Sequence, residues 1–237
     1  MKKEKKVKLT LKPENLLDYL LNQLNIFFPD NQVIAKDNQL KIALDIALQR
    51  TENCFKHIIL PGYRTDEGEA YFSHMHTDQY SQFLYYYSNT LWNEFNRKEI
   101  CDKIIALNKM LNGLFYSYKC KLPDIFLLGH PVGTIIGNAE YSDYLVIFQN
   151  VTINTSDDGF GNSAPKLGKG LFLGAGAKII GNKSIGDRVS LGVDALVYNQ
   201  KIENDSVVLR DYVTGQQIIR KREANFCMAQ SFFDVEI

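Results

Sequence analysis

The chain has 237 residues, 45% of them hydrophobic and 23% charged, and its 27 Lys+Arg balance 27 Asp+Glu. That length suffices for one large domain or two modest ones with a real core, and zero net charge excludes a broad electrostatic footprint for nucleic acid. No apolar run reaches the roughly 18 residues of a membrane span, and no apolar segment follows the lysines of MKKEKKV, so the sequence reads as a cytoplasmic protein with a solvated N-terminus and no signal peptide.

Residues 1–118 read as an α-helical domain. PENLLDYLLNQLNIFF opens with a proline suited to a first helical turn, and Leu16, Leu17, Leu20, Leu21 and Leu24 recur at steps of three and four. NQLKIALDIALQR repeats the pattern with Leu40, Ile42, Ala43, Ile46 and Leu48, and Pro61-Gly62 breaks it. A third helix is predicted to start at Thr77 or Asp78, either of which suits an N-cap, and a fourth to run through EICDKIIALNKMLNGLFYSY. The aromatic run Phe83–Tyr87 has no basic residue in it and reads as core or subunit interface. Cys54, Cys101, Cys120 and Cys227 never fall at CxxC spacing, so reduced thiols are expected.

From about residue 119 the period changes. Leu167, Leu173, Ile179, Ile185, Leu191 and Val197 are each six apart, and glycine follows four of them, at 168, 174, 186 and 192. Six suits neither a helix nor a strand over this length. It suits a chain that turns a corner every six residues, with one apolar side chain per side pointing inward and three sides to a coil. Small residues at the corners fit the bends. Ile147 and Ile153 keep the step, and NTSDDGFGNSA interrupts it as a polar loop. The repeat region is assigned to 119–212 and a tail to 213–237.

The segment GHPVGTIIGNAEYSDYLVIFQNVTIN, the interruption, and PKLGKGLFLGAGAKIIGNKSIGDRVSLGVDALV together resemble the hexapeptide-repeat acetyltransferases, in the branch of serine acetyltransferase. The resemblance implies an α+β chain, with an N-terminal all-α domain followed by a left-handed parallel β-helix. It also implies acetyl-CoA as co-substrate, no metal, and a homotrimer or a hexamer with its sites between prisms. His130 of Gly129-His130-Pro131-Val132-Gly133 takes the place of the family's catalytic base. An imidazole, which ordinarily titrates near pH 6.5, suits proton removal from an attacking alcohol. Asp143 and Asp124 are candidates to orient the ring. Asn154 and Thr155 match a family turn whose backbone N–H groups are candidates to hold the oxyanion, Gly174 and Ala175 match backbone contacts to the donor, and Lys166 and Lys178 either meet its phosphates or are solvated.

The same resemblance exposes departures. Gly129 stands where the family has aspartate before the histidine, Ala164 where it has a second histidine, and Asn138 where it has a glutamate. These losses, with the HPVG…YSDY variant, point to a sugar hydroxyl of a bacterial surface polysaccharide as acceptor. Serine in cysteine synthesis and a non-catalytic trimeric scaffold are the alternatives. FSHMHTDQY sets His74, His76 and Asp78 at alternate positions. A helix cap is the first reading, binding of the acceptor by His76 and Asp78 the second, and a metal site the third, disfavoured because three zinc ligands rarely come from five residues. Arg220, Lys221 and Arg222 read as a solvated run or as a contact to the nucleotide 3′-phosphate.

Overall fold

Pro13 opens α1 (Pro13–Phe27), where a missing backbone N–H costs nothing, and the helix buries Leu16, Leu17, Leu20, Leu21 and Leu24, the face that the spacing picks out. The computed structural model describes residues 7–154, 164–223 and 225–237. The chain divides into two units, 1–113 and 114–237. In the first, β1 (Lys8–Leu9) pairs in parallel with β2 (Tyr71–Phe72), so this unit is not all-α. Helix α2 (Asn38–Phe55) is capped by Asp37, whose Oδ1 accepts the Leu40 N–H. Its buried stripe is Leu40, Ala43, Leu44, Ala47 and Leu48, while Ile42 is 49% exposed. The sequence reading had rotated that stripe.

Helix α3 (Thr77–Phe95) runs through the middle of the unit, with Phe83, Leu84, Tyr85, Tyr86 and Tyr87 all at 0–1% exposure. The aromatic run is core. Its N-cap is His76, not Thr77 or Asp78, and His76 makes no side-chain cap bond. Helix α4 (Lys98–Asn112) stops where Gly113 adopts a left-handed conformation, earlier than the periodicity suggested.

The second unit is built from strands β3 (Phe115–Tyr116), β4 (Phe126–Leu128), β5 (Ile135–Ile136), β6 (Glu140–Tyr141), β7 (Leu145–Ile147), β8 (Thr152–Ile153), β9 (Lys166–Leu167), β10 (Phe172–Leu173), β11 (Lys178–Ile180), β12 (Ser190–Leu191), β13 (Leu196–Tyr198), β14 (Ser206–Arg210) and β15 (Gln217–Lys221). β4, β7, β10, β12 and β14 form one parallel sheet; β3, β5, β8, β11 and β13 form a second. β6 pairs with β9, and the bridges Leu167↔Ile185 and Ile185↔Ile202 extend that third side. From β4 onward the chain visits first, second and third side in turn. β3 already pairs with β5, so this unit begins at Leu114 and takes in residues 114–118 that the sequence reading gave to the helices.

The six-residue step is visible in the pairing. Leu167 faces Ile185, Leu173 faces Leu191 and Ile179 faces Val197, each pair 18 residues apart, so three sides of six close one coil. All six side chains are 0–2% exposed and fill the interior. Each glycine that follows has a reason other than bending. A Cβ on Gly168 would lie 2.4 Å from the backbone of Gly186, and one on Gly186 would lie 2.5 Å from the Asn204 nitrogen. The coils simply approach too closely there for any side chain. β15 departs from the pattern, pairing antiparallel with β14.

Gly168→Ala is therefore expected to destabilise the protein by about 1–3 kcal/mol through overpacking, read as a lower urea midpoint. An unchanged midpoint would show that the stacked coils can separate at that corner.

Candidate functional site

Four corners join the first side to the second. The N–H groups of Gly129, Phe148, Gly174 and Gly192 donate to Ile147, Leu173, Leu191 and Val208 carbonyls, which makes these four residues equivalent. Asn150, Gly176 and Asp194 then donate to the Val132, Gln149 and Ala175 carbonyls, which aligns the far side of each corner. Three corners take four residues, Phe148–Val151, Gly174–Ala177 and Gly192–Ala195, whereas 129–134 takes six. The surplus is His130 and Pro131. His130 has φ 49°, a left-handed conformation in which histidine is among the enriched residue types. The Val132 N–H folds back on the His130 carbonyl at 2.7 Å, and the His130 side chain is exposed. The His130 imidazole thus stands on a bulge at one edge of the coils, outside the packed interior.

Coils stack at roughly 4.8 Å, so the corner holding Gly174 and Ala175 lies two coils, about 10 Å, from that of His130. Gly174 is packed close to the Leu191 and Gly192 backbone. Lys178 sends its Nζ back to the Gly176 carbonyl at 2.8 Å, at the same edge. His130, Gly174, Ala175 and Lys178 therefore share one edge of the unit.

The other candidates sit elsewhere. Asn138 and Asn154 occupy the next edge, where Asn154 Nδ2 donates to the Asn138 carbonyl at 2.8 Å. The Asn154 N–H already donates to the Ile179 carbonyl at 2.7 Å, so it is not the free oxyanion donor that the resemblance suggested. Thr155 and the loop at 155–163 lie outside the described residues. Lys166 is exposed and reaches Glu140 at 3.3 Å on the third side. Arg220 and Lys221 are exposed, while Arg222 is half-buried: its Nη2 donates to Ser190 Oγ at 2.8 Å and to the Arg188 carbonyl at 3.1 Å.

Asp143, the candidate to orient the ring, lies apart from His130 within one chain. It precedes β7 by two residues, while His130 follows β4 by two, and β4 and β7 pair in register. Within one chain the two stand at opposite ends of a strand pair about 10 Å long. Asp143 Oδ1 accepts the Ile125 N–H at 3.0 Å. Asp187 Oδ1 does the same for Lys169 N–H at 2.7 Å, and Asn204 Oδ1 for Asp187 N–H at 2.9 Å. Asp143 is one rung of a ladder that ties each coil to the one before.

In the helical unit, His74 and His76 diverge. His74 Nδ1 meets Thr10 Oγ1 at 2.8 Å and its ring abuts Tyr19, pinning the segment after β1. The His76 ring packs on Tyr63 at 5.6 Å, and its Nδ1 is buried without a hydrogen bond. Asp78 is 5% exposed, in the first turn of α3. Burial, with the Asp78 charge beside it, pushes the Tyr63 hydroxyl well above the ordinary range. Among the described residues no three His, Cys, Asp or Glu side chains converge as metal ligands, and no helix is long and apolar enough to cross a membrane.

The second unit is a three-sided coil of stacked short strands with a histidine on an edge bulge, and the sequence relatives and structural neighbours of this chain are serine acetyltransferases. That of Synechococcus elongatus is 29% identical over 119 residues, 49% of this chain and 49% of that one. That of Helicobacter pylori is 30% identical over 99 residues, 41% and 58% of the two chains. The chain thus spans about half the length of the curated relatives it matches. The solved serine acetyltransferase of Vibrio cholerae superposes with a TM-score of 0.62 at 18% identity, covering 92% of this chain and 94% of that one. A serine acetyltransferase in complex with CoA gives 0.58 at 17%, covering 88% and 97%. These superpositions establish a shared fold. No family model matches.

Two residues near His130 escaped the sequence reading. Phe148 packs against Gly129, and Gln149 has a buried Oε1 without a hydrogen bond. Only the alignment of corners, which needs the pairing register, brings them beside the histidine.

Two measurements follow. Asp143→Ala strands the Ile125 N–H and is expected to cost about 1–3 kcal/mol, whereas Asp143→Asn keeps the acceptor and stays near wild type in urea denaturation. Loss of acetyl transfer in a fully stable Asp143→Asn would restore the ring-orienting role. Burial holds the His74 pKa below its ordinary 6.5, so the folded state favours the neutral ring. Its contribution is complete above pH 6.5 and declines as pH falls below it. His74→Gln should therefore flatten the loss of stability between neutral and mildly acid pH. An unaltered slope would assign that loss to other groups.

Proposed function

We propose that this protein is an acetyl-CoA-dependent O-acetyltransferase with His130 as general base. The observation that carries the reading is the two-residue surplus that puts this imidazole, in a left-handed turn, on the exposed edge shared with Gly174, Ala175 and Lys178. The acceptor hydroxyl gives its proton to the imidazole as its oxygen attacks the thioester carbonyl. The C–O bond forms, the C–S bond breaks, and the proton passes from the imidazolium to the departing sulfur. Base catalysis of this kind is worth roughly 10²–10⁴-fold, with alignment of the two substrates contributing more. Gly174 and Ala175 offer backbone along which the donor lies, and Lys178 stands near enough to that edge to meet its phosphates.

The coil is inferred to be left-handed and the working form a trimer or hexamer, by likeness to the superfamily. For the acceptor, the relatives favour L-serine, so serine acetylation replaces a polysaccharide hydroxyl as the leading reading. Gly129 and Ala164 keep the sugar hydroxyl as a second reading. A Cβ on Gly129 would lie 3.1 Å from the Phe148 ring, so the acidic side chain of the serine-acting pattern has no ready place there.

The test is release of CoA thiol from acetyl-CoA with L-serine and with a panel of methyl glycosides. His130→Asn tolerates the left-handed turn and is expected to fold normally while losing roughly 10²–10⁴-fold in turnover. Turnover within tenfold of wild type would refute the base assignment. Release with glycosides alone would promote the second reading.

A further inference from the structure

The place beside Gly129 is filled from another part of the chain. Three ring carbons of Phe148 lie 3.1–3.3 Å from where a Gly129 Cβ would be, so the ring covers the backbone just before the His130 turn. Phe148 is itself held. Its ring centroid is 5.6 Å from that of Phe172 and 5.9 Å from that of Phe232, and Phe172 and Phe232 stack at 6.0 Å. Phe172 belongs to the coil, but Phe232 comes from the C-terminal segment. That segment packs Phe232 on Phe148 and Phe172 and Phe233 on Tyr144, and its own Cys227 and Ala229 are fully buried.

It is fastened at both ends. Arg222 donates to Ser190 Oγ at 2.8 Å and to the Phe226 carbonyl at 3.3 Å. At the other end the Phe233 ring meets Tyr144 edge-on at 5.4 Å, and Phe233 is 3% exposed. The contrast with the turn it approaches is sharp. The His130 turn has two more residues than its equivalents, and its side chain is exposed. Packing from outside that coil can limit the orientations such a turn adopts.

We propose that the C-terminal segment Cys227–Phe233 is a positioning element for the base: Phe232 braces Phe148, and Phe148, seated against Gly129, fixes the His130 turn. Phe148 and Phe232 are positioning residues in this scheme, since neither exchanges a proton. The proposal rests on the reading of His130 as base. Misplacement of a reacting group by about 1 Å costs up to 10²-fold in rate without loss of binding, so the signature is a fall in kcat and not in donor affinity.

The experiment reads the histidine directly. Ring carbon–proton NMR signals of the four histidines are recorded on the full chain and assigned with His130→Asn. In Phe232→Ala and Phe148→Ala the His130 signals are expected to broaden or split, while His57, His74 and His76 keep theirs. In the same variants kcat is expected to fall roughly tenfold, with KM for acetyl-CoA within about twofold. Phe148→Leu should recover most of the loss. Gly129→Ala is the companion variant should truncation disturb folding. It removes no packing, pushes one methyl group against the ring, and should shift the His130 signals alone. Unchanged His130 signals in Gly129→Ala and in a folded Phe232→Ala or Phe148→Ala overturn the proposal. The NMR arm is independent of turnover: disturbed His130 signals in the variants, together with a wild type that shows no acetyl transfer, would sink the enzymatic reading and leave the brace standing.

Discussion

Close stacking of coil upon coil is the constraint from which the rest of the second unit follows. Parallel pairing at about 4.8 Å brings equivalent backbone atoms together all the way around. Where that approach is close, as between Gly168 and Gly186, no Cβ fits. One inward apolar residue per side then fills the interior, and side-chain acceptors such as Asp143, Asp187 and Asn204 tie successive coils at a corner. The arrangement leaves little freedom inside. Chemistry is displaced to the edges, where an extra residue or two can be added without disturbing the pairing.

His130 and Pro131 are such an addition. The pairing register resumes at Ile135 opposite Thr152, so the surplus is absorbed in the turn alone. A left-handed backbone at His130 turns the side chain outward, where a soluble donor and acceptor have access. The regular coil supplies a rigid frame and the irregular corner carries the proposed base, as expected when function sits on loops held by a stiff scaffold. The contact of Phe148 with Gly129, itself packed by Phe232, belongs to the same logic, since the proposed base on an enlarged turn would gain precision from its neighbours.

Much of this was legible in the sequence. The step of six from Leu167 to Val197 foretold three sides, an apolar interior and pairing at 18 residues, because one period governs both packing and hydrogen bonding. The leucine spacing of α1 worked for the same reason. The misses have physical causes too. Asp143 is close to His130 in sequence, but a coil sends residues 13 apart to opposite ends of a strand pair. Asp37, not a residue of the first helical periodicity, caps α2, and Ile42 points outward although its spacing allowed it inside. Gly113 ended α4 by a left-handed turn that apolar periodicity does not register. Phe148 and Phe232 are 84 residues apart, and nothing local in either stretch announces their contact.

The central claim is that the edge carrying His130 is where acetyl transfer takes place. A crystal structure of the protein with CoA tests it most directly. The account predicts the CoA sulfur within about 4 Å of a His130 ring nitrogen, near reacting distance, with the pantetheine arm running past Gly174 and Ala175. CoA seated against another edge, with His130 facing only solvent, would contradict it.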